Sequence, residues 1–512
     1  MIANDIYYDD AYRMDEVGVD ATEIDEGDVL QIRGRQVFKF FIVGLLFCFL
    51  SGLSDTAGPF FVAARLFLLA LLGLTVFMPS RIGVPFYFLL LLVSPDIIQS
   101  STEEVIYGEQ NIASLWRASI GPLRPSWIIF LVSALLLARN LYGSWDRRIK
   151  LAIVWFASVP IITGLIYGGF GTIARTVEVP TDMRLGMLLM TSILLFTSFL
   201  RRNPSALPMM LALFLGGLLA VHLGNMIYWL SGRGPMIAGI SRASVDSAKS
   251  TIVFVLLFGI HLIAIRRRLL LGTILALGSV LLIIVFATRL IWLTSIICVV
   301  ILLHLLGVKR ILLLSPVAAL LIFGGGALIK SLQSESIRIA ALRAETLKPT
   351  GGNYIANIDP LRYGEILNST ATSFRRVSIL WGNGYGSYYT DDVMPFPQDL
   401  TTAFPEYSAS LGQFFYCHNY VSQLFFKHGL IGLVLISLLW ISPAWMCWKY
   451  VFDRRDRSTF NGFLACLIAL IPTVMLCMYW TGKGLIINGF IIAVLLFIAE
   501  QYAGGKEPVG EE

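Results

Sequence analysis

The sequence predicts an all-α membrane protein that crosses the bilayer many times. Of its 512 residues, 56 % are hydrophobic and only 14 % are charged, whereas an average soluble protein carries roughly 25 % charged residues. The apolar residues are gathered in runs close to the length of about 20 residues that spans a bilayer as a helix. These observations exclude a soluble globular enzyme, a disordered scaffold and a small disulfide-stapled domain.

Fourteen apolar runs, separated by polar breaks, are candidate transmembrane helices. Their approximate bounds are 37–54, 59–78, 82–98, 126–143, 151–169, 185–200, 205–230, 251–265, 269–288, 290–306, 311–329, 420–446, 460–480 and 485–500. The run at 82–98 is the weakest, because Pro85 and Pro95 interrupt it.

The polar segments complete the organisation of the chain. It divides into an acidic tail at 1–36, helices 1 to 11 at 37–329, a large loop at 330–419, helices 12 to 14 at 420–500 and a short tail at 501–512. Residues 1–30 hold ten acidic side chains and one basic one, which indicates a solvated tail. The basic residues sit in short clusters between apolar runs, and this distribution argues against a nucleic-acid surface.

Lys and Arg alternate along the short loops in phase with the proposed spans. One set of loops and chain ends carries nineteen of these bases, and the alternating set carries nine. Because cytoplasmic loops carry an excess of Lys and Arg, the first set is predicted to be cytoplasmic. Both termini then lie in the cytoplasm, and loop 330–419 lies on the external face.

Loop 330–419 is predicted to carry the functional site, since a polar segment that long is usually functional. Residues 331–348 have the apolar spacing of an amphipathic helix that lies on the membrane surface. A second helix is predicted to begin at Asp359-Pro360, because Asp favours the N-cap and Pro the first helical position. We expect it to run to about Trp381 and to stop at Gly382.

Arginines on this second helix are candidate anion ligands. At about 100° per residue, Arg362 and Arg376 fall within about 40° of each other, whereas Arg375 faces away. One helix face is therefore expected to present two guanidinium groups, with Glu365 near Arg362. The alternative is a set of solvated arginines on an exposed helix.

The segment WGNGYGSYY (381–389) follows this helix. No strand precedes it, so it does not indicate a dinucleotide fold. Its glycines favour a tight turn against the membrane. Tyr385, Tyr388 and Tyr389 are expected at the interface as anchors, with sugar stacking as the other interpretation.

His418 closes the loop and is the candidate catalytic residue. Three of the five histidines lie within predicted apolar helices and His428 near the outer end of one, whereas His418 is predicted to lie on the external side of the membrane beside Asn419. An imidazole is the usual general base for activating a hydroxyl. The motif continues with nine residues and then Gly429-Leu-Ile-Gly432.

Together with two arginine motifs, this pattern resembles the bacterial O-antigen ligase and O-antigen polymerase superfamily, over roughly residues 230–440. Ala287-Thr288-Arg289, at the end of one span and the start of the next, is similar to the superfamily's Ser-Arg signature, with Thr288 in place of the serine. Arg362, followed by Gly382-Asn-Gly384-Tyr-Gly386, resembles its arginine helix and glycine-rich turn.

The resemblance implies a GT-C-like fold and a glycosyltransferase of the bacterial inner membrane with a periplasmic active site. His418 would orient or deprotonate a sugar hydroxyl, and Arg289 and Arg362 would bind the diphosphate of a polyprenyl-linked glycan donor, since a guanidinium binds phosphate through two hydrogen bonds. Arg376 and Asn419 are further substrate-binding candidates. No cofactor and no metal are expected, because the donor already carries the activation.

Several functions stay open at this point. The added acidic tail and the number of spans favour a polymerase that joins glycan units into an O-antigen or exopolysaccharide, whereas the histidine pattern favours a ligase that transfers the glycan to lipid A–core. A lipid-linked oligosaccharide flippase is the alternative outside the enzymes. The expected partners are the lipid-linked oligosaccharide, an acceptor glycan, membrane lipids and other polysaccharide export proteins.

Overall fold

The structure is a computed structural model, and the part of the chain that it describes is almost entirely helical. The described residues are 34–52, 58–94, 125–143, 145, 147–168, 173–228, 236–237, 240–241, 249–264, 268–285, 289–307, 360–396, 410–418, 420–454, 459–477 and 481–503. The predicted surface helix at 331–348 and the predicted span at 311–329 lie outside them.

Fourteen α-helices lie within the described residues. They are α1 (Gly34–Gly52), α2 (Gly58–Leu74), α3 (Ser80–Val93), α4 (Pro125–Asn140), α5 (Arg147–Gly168), α6 (Ile173–Arg202), α7 (Leu207–Tyr228), α8 (Ile252–Ala264), α9 (Leu269–Val285), α10 (Arg289–Leu306), α11 (Pro360–Arg375), α12 (Tyr420–Arg454), α13 (Thr459–Cys477) and α14 (Gly482–Ile498). Two-residue strands, β1 (Met236–Ile237) and β2 (Ile240–Ser241), pair antiparallel between α7 and α8.

Thirteen of the predicted spans coincide with these helices, and α11 lies in the described part of the large loop. Six helices of the described part are long and apolar enough to cross a membrane, and five more are apolar but shorter. The protein is therefore a multi-pass helical membrane protein.

Helix α14 forms the centre of the bundle. All of its residues from Gly482 to Ile498 are buried, as expected of a helix that is apolar on every side. The ring of Phe490 lies 4.4 Å from that of Phe88 in α3 and 5.2 Å from that of Phe214 in α7. By contrast, α12 exposes a stripe of apolar side chains on one side, and a membrane protein turns such a stripe toward lipid. The stripe consists of Leu430, Ile431, Val434, Leu438, Ile441 and Trp445.

One end of the bundle gathers basic residues from separate loops. Arg81 Nε donates to Asn203 Oδ1 at 3.0 Å, and Arg202 donates to the carbonyl of Arg139 at 2.9 Å. Arg201 pairs with Glu500. All three loops belong to the set predicted to face the cytoplasm, and they meet at one end, which we call the basic end.

Three helices extend from the basic end over a distance close to the thickness of the hydrocarbon core of a bilayer. At about 1.5 Å per residue, the distances are about 26 Å from Lys150 to Tyr167 in α5, about 28 Å from Arg201 to Asp182 in α6 and about 30 Å from Lys449 to Gly429 in α12. The hydrocarbon core of a bilayer is about 30 Å thick. We call the level of Tyr167, Asp182 and Gly429 the opposite boundary. The described part of the large loop lies on that side, where its residues 379–384 bind the backbone of α12 on both sides of Gly429.

Candidate active site

A buried carboxylate joins the start of α11 to the end of the large loop. Glu365 is fully buried, and its Oε1 contacts Nδ1 of His418. The backbone N–H of His418 also lies 3.2 Å from each carboxylate oxygen of Glu365. Arg362 Nη1 lies 3.5 Å from Glu365 Oε2, one helical turn earlier on α11. The structure thus brings two of the predicted site residues, His418 and Arg362, onto one carboxylate.

The surroundings of Glu365 favour its ionised form. Burial on its own raises the pKa of a carboxyl group, but the charges of His418 and Arg362 and the hydrogen bonds from His418 outweigh it and lower the pKa of Glu365 below its usual value. A buried carboxylate that stays ionised orients an imidazole and stabilises its protonated form. Any proton transfer by His418 would then use Nε2, because Nδ1 is engaged by Glu365.

The lowered pKa predicts that Glu365 stabilises the fold only above acidic pH. A carboxyl group whose folded pKa lies below its unfolded value contributes stability that is present above the unfolded pKa and is lost as the pH falls through the folded one. We expect the thermal unfolding midpoint in detergent to fall as the pH is lowered through and below the ordinary pKa of a carboxyl group. It should fall less in Glu365→Gln, which has no such proton to take up. An equal fall in both proteins would contradict the assignment.

A glycine-rich turn, which includes Gly382, Gly384 and Gly386, binds the backbone of α12 at a break in that helix. Gly429 has φ +67° and interrupts the helix. The amides of Asn383 and Gly384 donate to the carbonyls of Phe426 and Lys427, at 2.8 and 3.0 Å. On the other side of the break, the amides of Leu430 and Ile431 donate to the carbonyls of Ile379 and Leu380, at 2.8 and 3.0 Å. The predicted tight turn is therefore present, and it supplies the hydrogen bonds that the broken helix lacks.

Tyr385 anchors the same turn in α5. Because Pro160 has no N–H, the carbonyl of Phe156 four residues earlier has no helical donor. The hydroxyl of Tyr385 donates to that carbonyl at 2.9 Å, and the backbone N–H of Tyr385 donates to the carbonyl of Pro160 at 2.8 Å. Tyr385 and Tyr389 are fully buried, so their predicted role as interfacial anchors is wrong. Tyr388 is half-buried.

A buried ion pair holds the turn between α6 and α12. Lys427 Nζ lies 2.5 Å from Asp182 Oδ2, and both side chains are almost completely buried. Lys427 also donates to the carbonyl of Ser387 at 2.8 Å, and Asp182 accepts from the backbone N–H of Gly386 at 2.9 Å. Each charge therefore also binds the backbone of the turn, as buried ions need additional hydrogen bonds.

Removing one charge of this pair should destabilise the protein strongly. We expect Lys427→Met to cost about 3–5 kcal/mol, because it leaves Asp182 buried without its counter-ion. The double variant with Asp182→Asn should recover much of that loss, since neither charge remains. Denaturation in mixed micelles measures both. Lys449→Met is the matched control on the exposed basic end of α12, and a loss there as large as at Lys427 would refute the role of the pair.

The structure separates Arg376 from Arg362. The helix was expected to run to Trp381 but ends at Arg375, and Arg376 lies in the following turn. The two arginines are about 20 Å apart along the helix axis, so they do not meet at one anion, and the extension of the helix to Trp381 is the part of the prediction that is wrong. Arg376 lies near Asn383 Oδ1 at 3.4 Å and over the ring of Tyr388. Arg375 is exposed and pairs with Asp392, as its predicted outward position implies.

Two predicted site residues cannot be placed in full. Arg289 is the first residue of α10, but its side chain lies outside the described part of the structure. Asn419 also lies outside it. Within the described residues, no group of three or more His, Cys, Asp or Glu side chains is arranged to hold a metal ion.

Sequence reasoning missed the partners of the predicted residues. Glu365 was noted only as a neighbour of Arg362, and its spacing of three residues on a helix was the available signal. Asp182 and Lys427 carried a second signal, because a charge at the end of an apolar run is expected to have a partner. Nothing in the sequence indicates which partner each one has.

Comparisons with known proteins give no family for this chain. No protein-family model matches it, and no curated protein matches it significantly.

Proposed function

We propose that the protein is a GT-C-like membrane glycosyltransferase that joins polyprenyl-diphosphate-linked glycan units into an O-antigen or exopolysaccharide. The observation that carries the proposal is the contact of His418 Nδ1 with the buried carboxylate of Glu365, beside Arg362. These three side chains suit the transfer of a glycosyl group to a sugar hydroxyl. An imidazole held by a carboxylate can accept the proton of the hydroxyl, and a guanidinium can stabilise an anionic leaving group.

In the proposed reaction, the oxygen of an acceptor sugar hydroxyl attacks the anomeric carbon of the donor glycan. The proton of that hydroxyl passes to Nε2 of His418, and Glu365 stabilises the imidazolium. The bond between the anomeric carbon and the diphosphate oxygen breaks, and the polyprenyl diphosphate leaves with both electrons. The leaving group carries the activation, so the step requires neither a nucleotide nor a metal.

The different positions of Arg289 and His418 across the membrane support separate roles for the two residues. Arg289 begins α10 about 22 Å along the helix from His304, whose ring lies 5.7 Å from that of Trp448 near the basic end, so Arg289 lies toward the opposite boundary and the lipid head groups. His418 precedes α12 and therefore lies beyond the break at Gly429, on the side of the large loop. We infer that Arg289 binds the diphosphate at the head-group level and that His418, Glu365 and Arg362 act on the sugars beyond it. The active site would then be periplasmic, with both termini in the cytoplasm of an inner-membrane protein.

One observation favours the alternative of a lipid-linked oligosaccharide flippase. Transporters build substrate sites from broken helices and buried charges, and α12 is broken beside the Asp182–Lys427 pair. However, the backbone groups at the break bind the glycine-rich turn, and both charges bind the turn and each other. This arrangement suits a fixed joint better than a substrate site.

The test is transfer by the purified protein in lipid vesicles that contain a polyprenyl diphosphate oligosaccharide, with no ATP and no ion gradient. We expect longer glycans on the carrier and release of polyprenyl diphosphate. Movement of the intact donor across the bilayer without release would identify a flippase instead. In a deletion strain, single repeats on the surface lipid indicate a polymerase, whereas polymer left on the carrier indicates a ligase.

A further inference from the structure

The end of α11 and the segment that follows it expose large apolar side chains. Phe374, Val377, Leu380 and Trp381 are exposed by 61 %, 73 %, 49 % and 36 % of their surface. They are close neighbours in the sequence. We call residues 374–381 the apolar turn.

The apolar turn lies at the opposite boundary of the membrane-spanning bundle. Its carbonyls at Ile379 and Leu380 accept from Leu430 and Ile431, which directly follow the break at Gly429. Trp381 Nε1 donates to the hydroxyl of Tyr167, near the end of α5, at 3.1 Å. Trp and Tyr are enriched at the level where the hydrocarbon core meets the head groups.

The exposed side chains continue an apolar stripe of the bundle. Leu430 and Ile431 are themselves exposed and begin the stripe of α12 that faces lipid. Because the apolar turn is hydrogen-bonded to the same two residues, its exposed surface is continuous with that stripe.

Val377 has a backbone conformation that favours glycine. Its φ is +53°, the one positive φ of a non-glycine residue among the described residues. The amide of Ser378 donates to the carbonyl of Ser373, and the amide of Val377 donates to that of Phe374. This is a Schellman helix end, in which the position of Val377 is usually glycine. A β-branched side chain is strained in this conformation. The geometry of the helix end therefore does not explain why a valine occupies this exposed position.

We propose that the apolar turn inserts into the lipid leaflet at the opposite boundary and that its partner is the acyl chains of the bilayer. Val377, Leu380 and Phe374 occupy the edge of the hydrocarbon, and Trp381 and Tyr167 mark the interface. Insertion removes the apolar side chain of Val377 from water, which offsets the strain of its backbone. It also fixes the end of α11, the helix that carries Glu365, at a constant height above the bilayer.

The test uses spin labels on single cysteines in the full-length protein reconstituted into phosphatidylcholine–phosphatidylglycerol vesicles. Val377→Cys is compared with Val393→Cys, which is also an exposed valine of the loop. The amide of Val393 binds Asn368, about 13 Å farther from the opposite boundary along α11. Cys48 and Cys477, the partly exposed native cysteines of the described residues, are replaced by alanine in both.

We expect oxygen to relax the label at 377 more strongly than a water-soluble nickel complex does, and the reverse order at 393. Leu380→Cys is a second reporter, should the variant at 377 not fold. Water-like accessibility at 377 and 380 would overturn the proposal. So would spin–spin broadening with low accessibility to both reagents, which would show that a second copy of the chain covers the turn. None of these outcomes depends on transferase activity.

Discussion

His418→Ala is expected to lower glycan transfer by about 10²–10⁴-fold, the usual contribution of a positioned general base. The loss should fall on the rate of transfer at saturating donor. Initial rates of polyprenyl diphosphate release from vesicles, normalised to the amount of folded protein, measure it.

The matched control for this loss is His304→Ala. His304 is exposed near the basic end of α10, where its ring lies 5.7 Å from that of Trp448. Its replacement should leave transfer unchanged. Transfer by His418→Ala at the rate of the control would refute the assignment of His418 and with it the proposed reaction.

The partnership of Glu365 with His418 adds a second measurement to the same prediction. Glu365 is a positioning residue in the proposal, so Glu365→Gln should lower transfer less than His418→Ala and should change its pH profile. The double variant should be no slower than His418→Ala, because residues that act as a unit are not additive. Losses that multiply would show that the two side chains act independently.

Much of the fold could be predicted from the sequence because apolar length is a strong signal. Thirteen predicted spans correspond to described helices, and the start of α11 at Pro360 follows from the preference of proline for a first helical turn. The end of α11 could not be predicted. Val377 adopts a left-handed conformation there, and the sequence rules assign that conformation to glycine.

The break in α12 shows a second limit of sequence reasoning. Gly429 was noted as part of a motif, but the run around it reads as one continuous apolar helix. The break exists because the turn at 379–384 supplies its hydrogen bonds, and that turn lies far away in the sequence. The same holds for His418 and Glu365, which were each visible in the sequence while their contact was not. Local patterns predicted the parts of the candidate site, and long-range contacts determine how they combine.

The second large effect is expected at Gly384, where the glycine-rich turn meets α5. A Cβ atom at this position would overlap the backbone nitrogen of Gly164 and would lie 2.5 Å from the carbonyl oxygen of Pro160. Neither backbone group can move without bending α5. We therefore expect Gly384→Ala to displace the turn and to expose the break in α12.

Gly384→Ala is expected to lower the free energy of unfolding by about 5 kcal/mol. Strain at the positive φ accounts for about 1–2 kcal/mol of this loss, and buried backbone groups without partners account for the remainder.

Gly412→Ala separates these two causes. Gly412 also has a positive φ, of +59°, but nothing lies within 4 Å of its would-be Cβ atom, so that variant should lose only the contribution of strain. Unfolding in mixed micelles measures both variants. Equal losses of stability in the two variants would mean that only the strained backbone conformation matters and that the turn does not hold α5 and α12 together. A much larger loss at Gly384 would mean that the turn is a structural joint, on which the position of α11 and of Glu365 beside His418 depends.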